Sequence, residues 1–147
     1  PIVLHLAAEH MLDPLFEQRL AVDDVLPIGP GGDLLLVETS YFNPPIDFYG
    51  LLHRIRSQGY FPLLAHPERY VYMGEEDYRK LQALGVKFQL NLPSLVGAYG
   101  KEAKRKGRWL LKQGLYHCAG TDIHRKEMLA YSLAAAKHGQ AFCGLRS

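Results

Sequence analysis

The sequence predicts an α/β fold of about five β/α units, and three observations predict it. Apolar runs of strand length alternate with amphipathic stretches of helix length, at spacings of roughly 25 to 30 residues, which implies parallel strands joined by helical crossovers. A glycine follows most helical stretches (Gly59, Gly85, Gly114 and Gly139), the residue expected just past a helix end. Polar residues able to bind ligands collect where the predicted strands end, as sites do in barrels and open α/β sheets.

The elements run in order. Ile2-Val3-Leu4-His5-Leu6 reads as a short strand leading through Ala7 and Ala8 to Glu9. Asp13-Pro14 is a cap followed by proline at the first helical position, so a helix should run to about Ala21. Residues 27–32 are loop. Their glycines lack phosphate-loop spacing and lead into no helix. Residues 33–38 (Asp-Leu-Leu-Leu-Val-Glu) form a buried strand. Residues 45–58 carry Ile46, Tyr49, Leu52 and Ile55 at helical spacing. Residues 60–65 are the next strand, which Pro67 should stop at His66 because proline has no N–H to donate. Helices are expected over 75–84, 101–113 and 125–138, and strands over 86–92, 115–119 and 141–143.

A chain of 147 residues without a visible linker is read as a single domain, 1–147. Its 48% hydrophobic and 22% charged residues describe an ordinary globular chain. A net charge of +2 gives no argument for nucleic acid or an anionic membrane surface. No apolar run approaches the roughly 18 residues of a membrane span. No basic segment precedes an apolar one at the start, so no signal peptide is read. Two cysteines, Cys118 and Cys143, make no disulfide framework and suit a reducing cytoplasm.

Glu9, Glu38, His66, Gln89, Asn91, Asp122 and His124 all fall at or just beyond a predicted strand end. In extended chain, Asp122 and His124 would point to the same side, with Ile123 between them facing the core. Glu9, Glu38, His66, Asp122 and His124 together make three carboxylates and two imidazoles, a donor set for Zn²⁺, Mn²⁺ or Fe. Five ligands exceed what one tetrahedral zinc needs, which points to two or more bridged ions. Plainer readings stand beside these: His66 pinned by a turn, and Asp122 capping the last helix.

The motifs Leu64-Ala65-His66-Pro67-Glu68-Arg69-Tyr70, Gly120-Thr121-Asp122-Ile123-His124, and Gln89-Leu90-Asn91 with Ser94-Leu95-Val96-Gly97 resemble the polymerase-and-histidinol-phosphatase (PHP) family. The match is closest to its branch of manganese-dependent bacterial tyrosine phosphatases of capsule and exopolysaccharide biosynthesis. Ala7-Ala8-Glu9-His10-Met11-Leu12 and Leu36-Val37-Glu38 match two further segments in the right order. The resemblance implies a distorted barrel of about seven β/α units, only about five of them present here, and a cluster of divalent metal ions. Mn is the expected ion, with Fe or Zn as alternatives. Glu9, Glu38, His66, Asp122 and His124 would be metal ligands, Arg69 would bind the substrate phosphate, and Arg125 would be a second arginine.

By the same resemblance the chain would be a metal-dependent protein tyrosine phosphatase, using metal-activated hydroxide on phosphotyrosine. The phosphotyrosine protein would be a bacterial tyrosine kinase. One departure stands out: the family's opening His-x-His strand is absent, since His5 has Val3 and Ala7 at the flanking positions. The chain starts at Pro1 and reads as a carboxyl-terminal portion, leaving barrel edges through which it could form a homo-oligomer. Metal occupancy is then in question. Two other readings remain, a small-molecule phosphomonoesterase acting on a histidinol-phosphate-like compound and a non-catalytic partner-binding domain. A thiol mechanism does not fit, because His124 holds the arginine position of a Cys-x5-Arg loop counted from Cys118. The basic run Lys101, Lys104, Arg105, Lys106 and Arg108 reads as a solvated helix face.

Overall fold

The structure, a computed structural model, describes residues 1–137. Five parallel strands form one sheet in the order β1-β2-β3-β4-β5. They are β1 Glu9–Met11, β2 Leu34–Glu38, β3 Phe61–Ala65, β4 Lys87–Asn91 and β5 Cys118–Gly120. The crossovers carry α1 Pro14–Ala21, α2 Phe48–Ser57, α3 Glu75–Ala83 and α4 Gly100–Lys112, and α5 Met128–Lys137 follows β5. The expected strand over 141–143, with Cys143 and His138, lies outside the described residues. The helix ends are as local chemistry dictates. Asp13 caps α1 by accepting from the Phe16 N–H at 2.8 Å, and Gly59 and Gly85 take left-handed φ after α2 and α3.

When each strand pairs with its neighbour in sequence, crossovers of one hand place the helices on one face of the sheet. Burial follows that logic. Leu35, Val37, Leu64, Phe88 and Leu90 are fully buried in one core with Phe16, Leu51, Leu52, Ile55, Tyr78 and Leu81 of the helices. On the opposite face Leu34, Leu36, Glu38 and Gln89 are only half-buried.

The first strand departs from expectation. Ile2, Val3, Leu4 and Leu6 are 91%, 71%, 89% and 85% exposed and belong to no strand. An apolar run makes a strand only where a ladder neighbour receives it, and β2 pairs instead with Glu9–Met11, Glu9 opposite Leu36 and Met11 opposite Glu38. Glu9 therefore opens a strand rather than following one. Ile46 is also out of place. The α2 helix starts only at Phe48, after Asp47 turns the chain with φ 54°, so Ile46 lies outside it and is 96% exposed.

Glu68, beside Arg69 in the turn after β3, points into the core at 1% exposure. Its Oε1 accepts from the Asn91 N–H at 3.1 Å, and its Oε2 accepts from the Tyr116 hydroxyl at 2.7 Å. Burial pushes the Glu68 carboxyl up from its ordinary range, against the pull of the Tyr116 hydrogen bond. These bonds tie the turn after β3 to β4 and to the residues leading into β5. Tyr116→Phe leaves a buried carboxylate oxygen without its donor and should cost about 1–3 kcal/mol. Urea unfolding checks it; an unchanged midpoint and slope would mean that the bond adds no net stability.

Candidate metal centre

His66 lies just past β3 in left-handed backbone, φ 36°, with its N–H bonded to the Gln89 carbonyl at 2.9 Å. That conformation is uncommon for a residue with a Cβ. It aims the ring across the carboxyl end of the sheet. His66 Nε2 lies 3.3 Å from Glu9 Oε1 and 3.4 Å from Glu38 Oε2. Burial, the largest influence on the ring, favours its neutral form; the hydrogen bonds to Glu38 and Glu9 outweigh it, and the imidazole is pushed up to about 9. The His66 Nε2 and the two carboxylates surround a place where a cation fits. The ring's other nitrogen, Nδ1, is buried with no hydrogen-bond partner among the described residues, and the rings of Tyr41 and Tyr70 flank the imidazole at 5.5 and 5.6 Å between centroids. Packing rather than a second hydrogen bond orients the imidazole.

Glu9, Glu38 and His66 each offer a ligand atom within 4.8 Å of the others. Two carboxylates and one imidazole are donors for a divalent ion such as Mn²⁺, Fe²⁺ or Zn²⁺, and three protein ligands leave positions open for water and substrate. The residues fit such an ion.

Asp122 and His124 stand in the same cleft but outside that group. Asp122 Oδ2 accepts from Arg69 Nη1 at 3.0 Å and from Asn91 Nδ2 at 3.3 Å. His124 Nδ1 lies 3.1 Å from Asp122 Oδ1, its side chain 77% exposed. The extended Asp-x-His geometry is not found. Asp122 takes a left-handed φ of 49°, so the chain folds back there and Ile123, expected in the core, is 42% exposed. The expected five-ligand cluster thus divides into Glu9, Glu38 and His66 on one side and an Arg69–Asp122–His124 chain on the other.

All seven candidates, Arg125 included, line one cleft of about 630 Å³. Tyr99, Glu127 and Met128 also line it and carried no signal in the sequence beyond their place near glycines or a helix start. Tyr41, which follows β2, lines it too, whereas Tyr70 is fully buried. Within the basic run, Lys106 is not merely solvated: its Nζ donates to the Tyr70 carbonyl at 2.6 Å.

Titrating Mn²⁺ into the purified protein should raise its thermal midpoint. At free metal a hundred times Kd the added stability is about 2.7 kcal/mol. Glu38→Gln and His66→Ala should each remove most of that gain. A gain of wild-type size in both variants would place the ion elsewhere.

The model of the family described as "Capsular polysaccharide synthesis, CpsB/CapC" matches residues 2–138. Tyrosine-protein phosphatase YwqE of Bacillus subtilis (strain 168) is 29% identical over 110 residues, which are 74% of this chain and 43% of that protein. The fold is shared with the crystal structures of YwqE from Bacillus subtilis and CpsB from Streptococcus pneumoniae, described as metal-dependent tyrosine phosphatases. The TM-score is 0.75 at 22% identity, over 92% of this chain and 59% of the other. This chain spans about half the length of these relatives. The branch expected from the His-Pro-Glu-Arg-Tyr and Asp-x-His motifs is the one the family model identifies, and the chain belongs to the CpsB/CapC family of capsular polysaccharide synthesis.

Proposed function

We propose that this chain carries the metal and phosphate site of a divalent-metal-dependent protein tyrosine phosphatase. The observation that carries the reading is one cleft in which a two-carboxylate, one-imidazole ligand group faces the guanidinium of Arg69 across the ring of Tyr41. The similarity to YwqE, a tyrosine-protein phosphatase, supports the substrate. A bacterial tyrosine kinase of a capsule system is the proposed phosphotyrosine protein, and the cytoplasm the proposed compartment. Among the described residues no helix is long and apolar enough to cross a membrane.

Mn²⁺ is the proposed ion; when bound, it supplies Lewis acidity and lowers the pKa of water toward neutrality. Glu9, Glu38 and His66 would hold it. Asp122 and His124 would join them only by loosening their present bonds to Arg69 and to each other. Arg69 has a planar fork of donors suited to two phosphoryl oxygens at once, and it stabilises the charge that grows there. His124 and Arg125 stand exposed where they line the cleft, and Arg125 is a second candidate for the phosphate. The phenolate leaves without a strong general acid because its pKa is only about 10.

The strand order supports a consecutive part of a distorted barrel of about seven β/α units. Among the described residues the outer edges of β1 and β5 carry no further strand. Further chain or a second copy meeting those edges would complete the barrel and add ligands.

With Mn²⁺ present, a phosphotyrosine peptide should be hydrolysed with higher kcat/KM than a histidinol-phosphate-like monoester. Arg69→Ala should lower kcat/KM by roughly 10²–10³-fold, the usual effect of removing one group that stabilises transition-state charge. Preference for the small ester would overturn the protein substrate. Metal-independent hydrolysis would overturn the mechanism.

A further inference from the structure

The guanidinium of Arg69 is gripped. Its Cζ lies 3.9 Å from the ring centroid of Tyr99 and 4.4 Å from that of Tyr41. Both contacts are made over the ring faces. One edge is held by Asp122 at 3.0 Å. Three separate loops supply these contacts. Tyr41 follows β2, Tyr99 precedes α4, and Asp122 follows β5. Tyr99 sits between Gly97 and Gly100, both left-handed at φ 90° and 93°, and that turn brings the ring over Arg69. Neither tyrosine hydroxyl has a hydrogen-bond partner among the described residues, so the ring faces make the contact.

A free arginine side chain has many rotamers, and ordering it on phosphate costs entropy. A guanidinium lying over two π faces is attracted to both, which restricts its orientation. Of its five donors, only the one on Asp122 has a partner among the described residues. The remaining edge is left for an anion in the cleft. A side chain that merely filled space would do none of this.

We propose that Tyr41 and Tyr99 are positioning residues: an aromatic clamp that fixes the Arg69 guanidinium so that its free edge meets the phosphoryl group. This rests on the reading of Arg69 as the phosphate-binding residue. Two measurements separate the two ideas. The first is the order of Arg69, read from its side-chain Nε–H resonance without any ligand. The second is the affinity of the metal-loaded protein for inorganic phosphate.

Tyr99→Leu should broaden or shift the Arg69 resonance and weaken phosphate binding about 3- to 30-fold, the range a partly desolvated cation–π contact supports. Tyr99→Phe should preserve both. Tyr41→Leu should act like Tyr99→Leu, although Tyr41 also touches His66, so Tyr99 is the cleaner probe. In an Arg69→Lys background, Tyr99→Leu should have no further effect on phosphate. An unchanged resonance and affinity in Tyr99→Leu would overturn the clamp. So would equal damage from Tyr99→Phe, or full additivity with Arg69→Lys. If Arg69→Lys leaves phosphate binding intact while Tyr99→Leu still disorders the guanidinium, the clamp stands and the phosphate role of Arg69 falls.

Discussion

Two carboxylates, Glu9 and Glu38, converge on one imidazole nitrogen, and much of this chain is arranged to make that convergence tolerable. Two negative charges this close repel unless something positive lies between them. In the structure that is the His66 ring, pushed up to about 9. In the working protein it is proposed to be a cation. The three residues come from three consecutive strands, so the site needs β1, β2 and β3 in correct parallel register. The fully buried leucines and valine on the helix-covered face set that register. Apolar packing thus creates the geometry that electrostatics alone would resist.

The turn from His66 to Arg69 distributes three ionisable groups among three environments. His66 starts it with a left-handed backbone and turns toward the carboxylates. Glu68 turns inward and satisfies its oxygens with Tyr116 and the Asn91 N–H. Arg69 turns out along the cleft to Asp122. Four residues therefore join the ligand group, the core and the anion site. The buried Glu68 bonds anchor this turn to β4 and to the residues entering β5, which bear Asn91 and lead on to Asp122. A loosened anchor would be felt at the ligand and the arginine together.

Much of this was legible in the sequence. The Asp13-Pro14 start, Gly59, Gly85 and Gly114 past their helices and the apolar run into His66-Pro67 each have a local cause, and each of these elements formed where that cause placed it; Gly139 lies outside the described residues. Glu9, Glu38, His66, Arg69, Asp122, His124 and Arg125 meet in one cleft, whereas Gln89 and Asn91, also at a strand end, do not line it. The failures have physical reasons. Ile2 to Leu6 form an apolar run of strand length, but a strand exists only with a neighbour, and pairing partners are not written locally. Asp122 and His124 were read as extended, but a left-handed residue changed their aim. Glu68 looked like a surface carboxylate because its partner Tyr116 lies 48 positions away. Tyr99 was overlooked because its role depends on a glycine-shaped turn meeting an arginine from another loop.

The three-residue strand β1 shows how closely fold and chemistry are joined. Along it Glu9 and Met11 are exposed while His10 between them is buried. A strand's side chains alternate, so sliding β1 by one residue against β2 would exchange these roles. Glu9 would then turn toward the apolar core and His10 would come out beside Glu38. The same carboxylate that serves the cleft thus resists mispairing of the sheet edge, because a misaligned strand would have to bury its charge. Replacing Glu9 with a neutral residue would therefore remove more than a ligand. It would remove one of the marks by which this short strand tells its correct alignment from its neighbouring one.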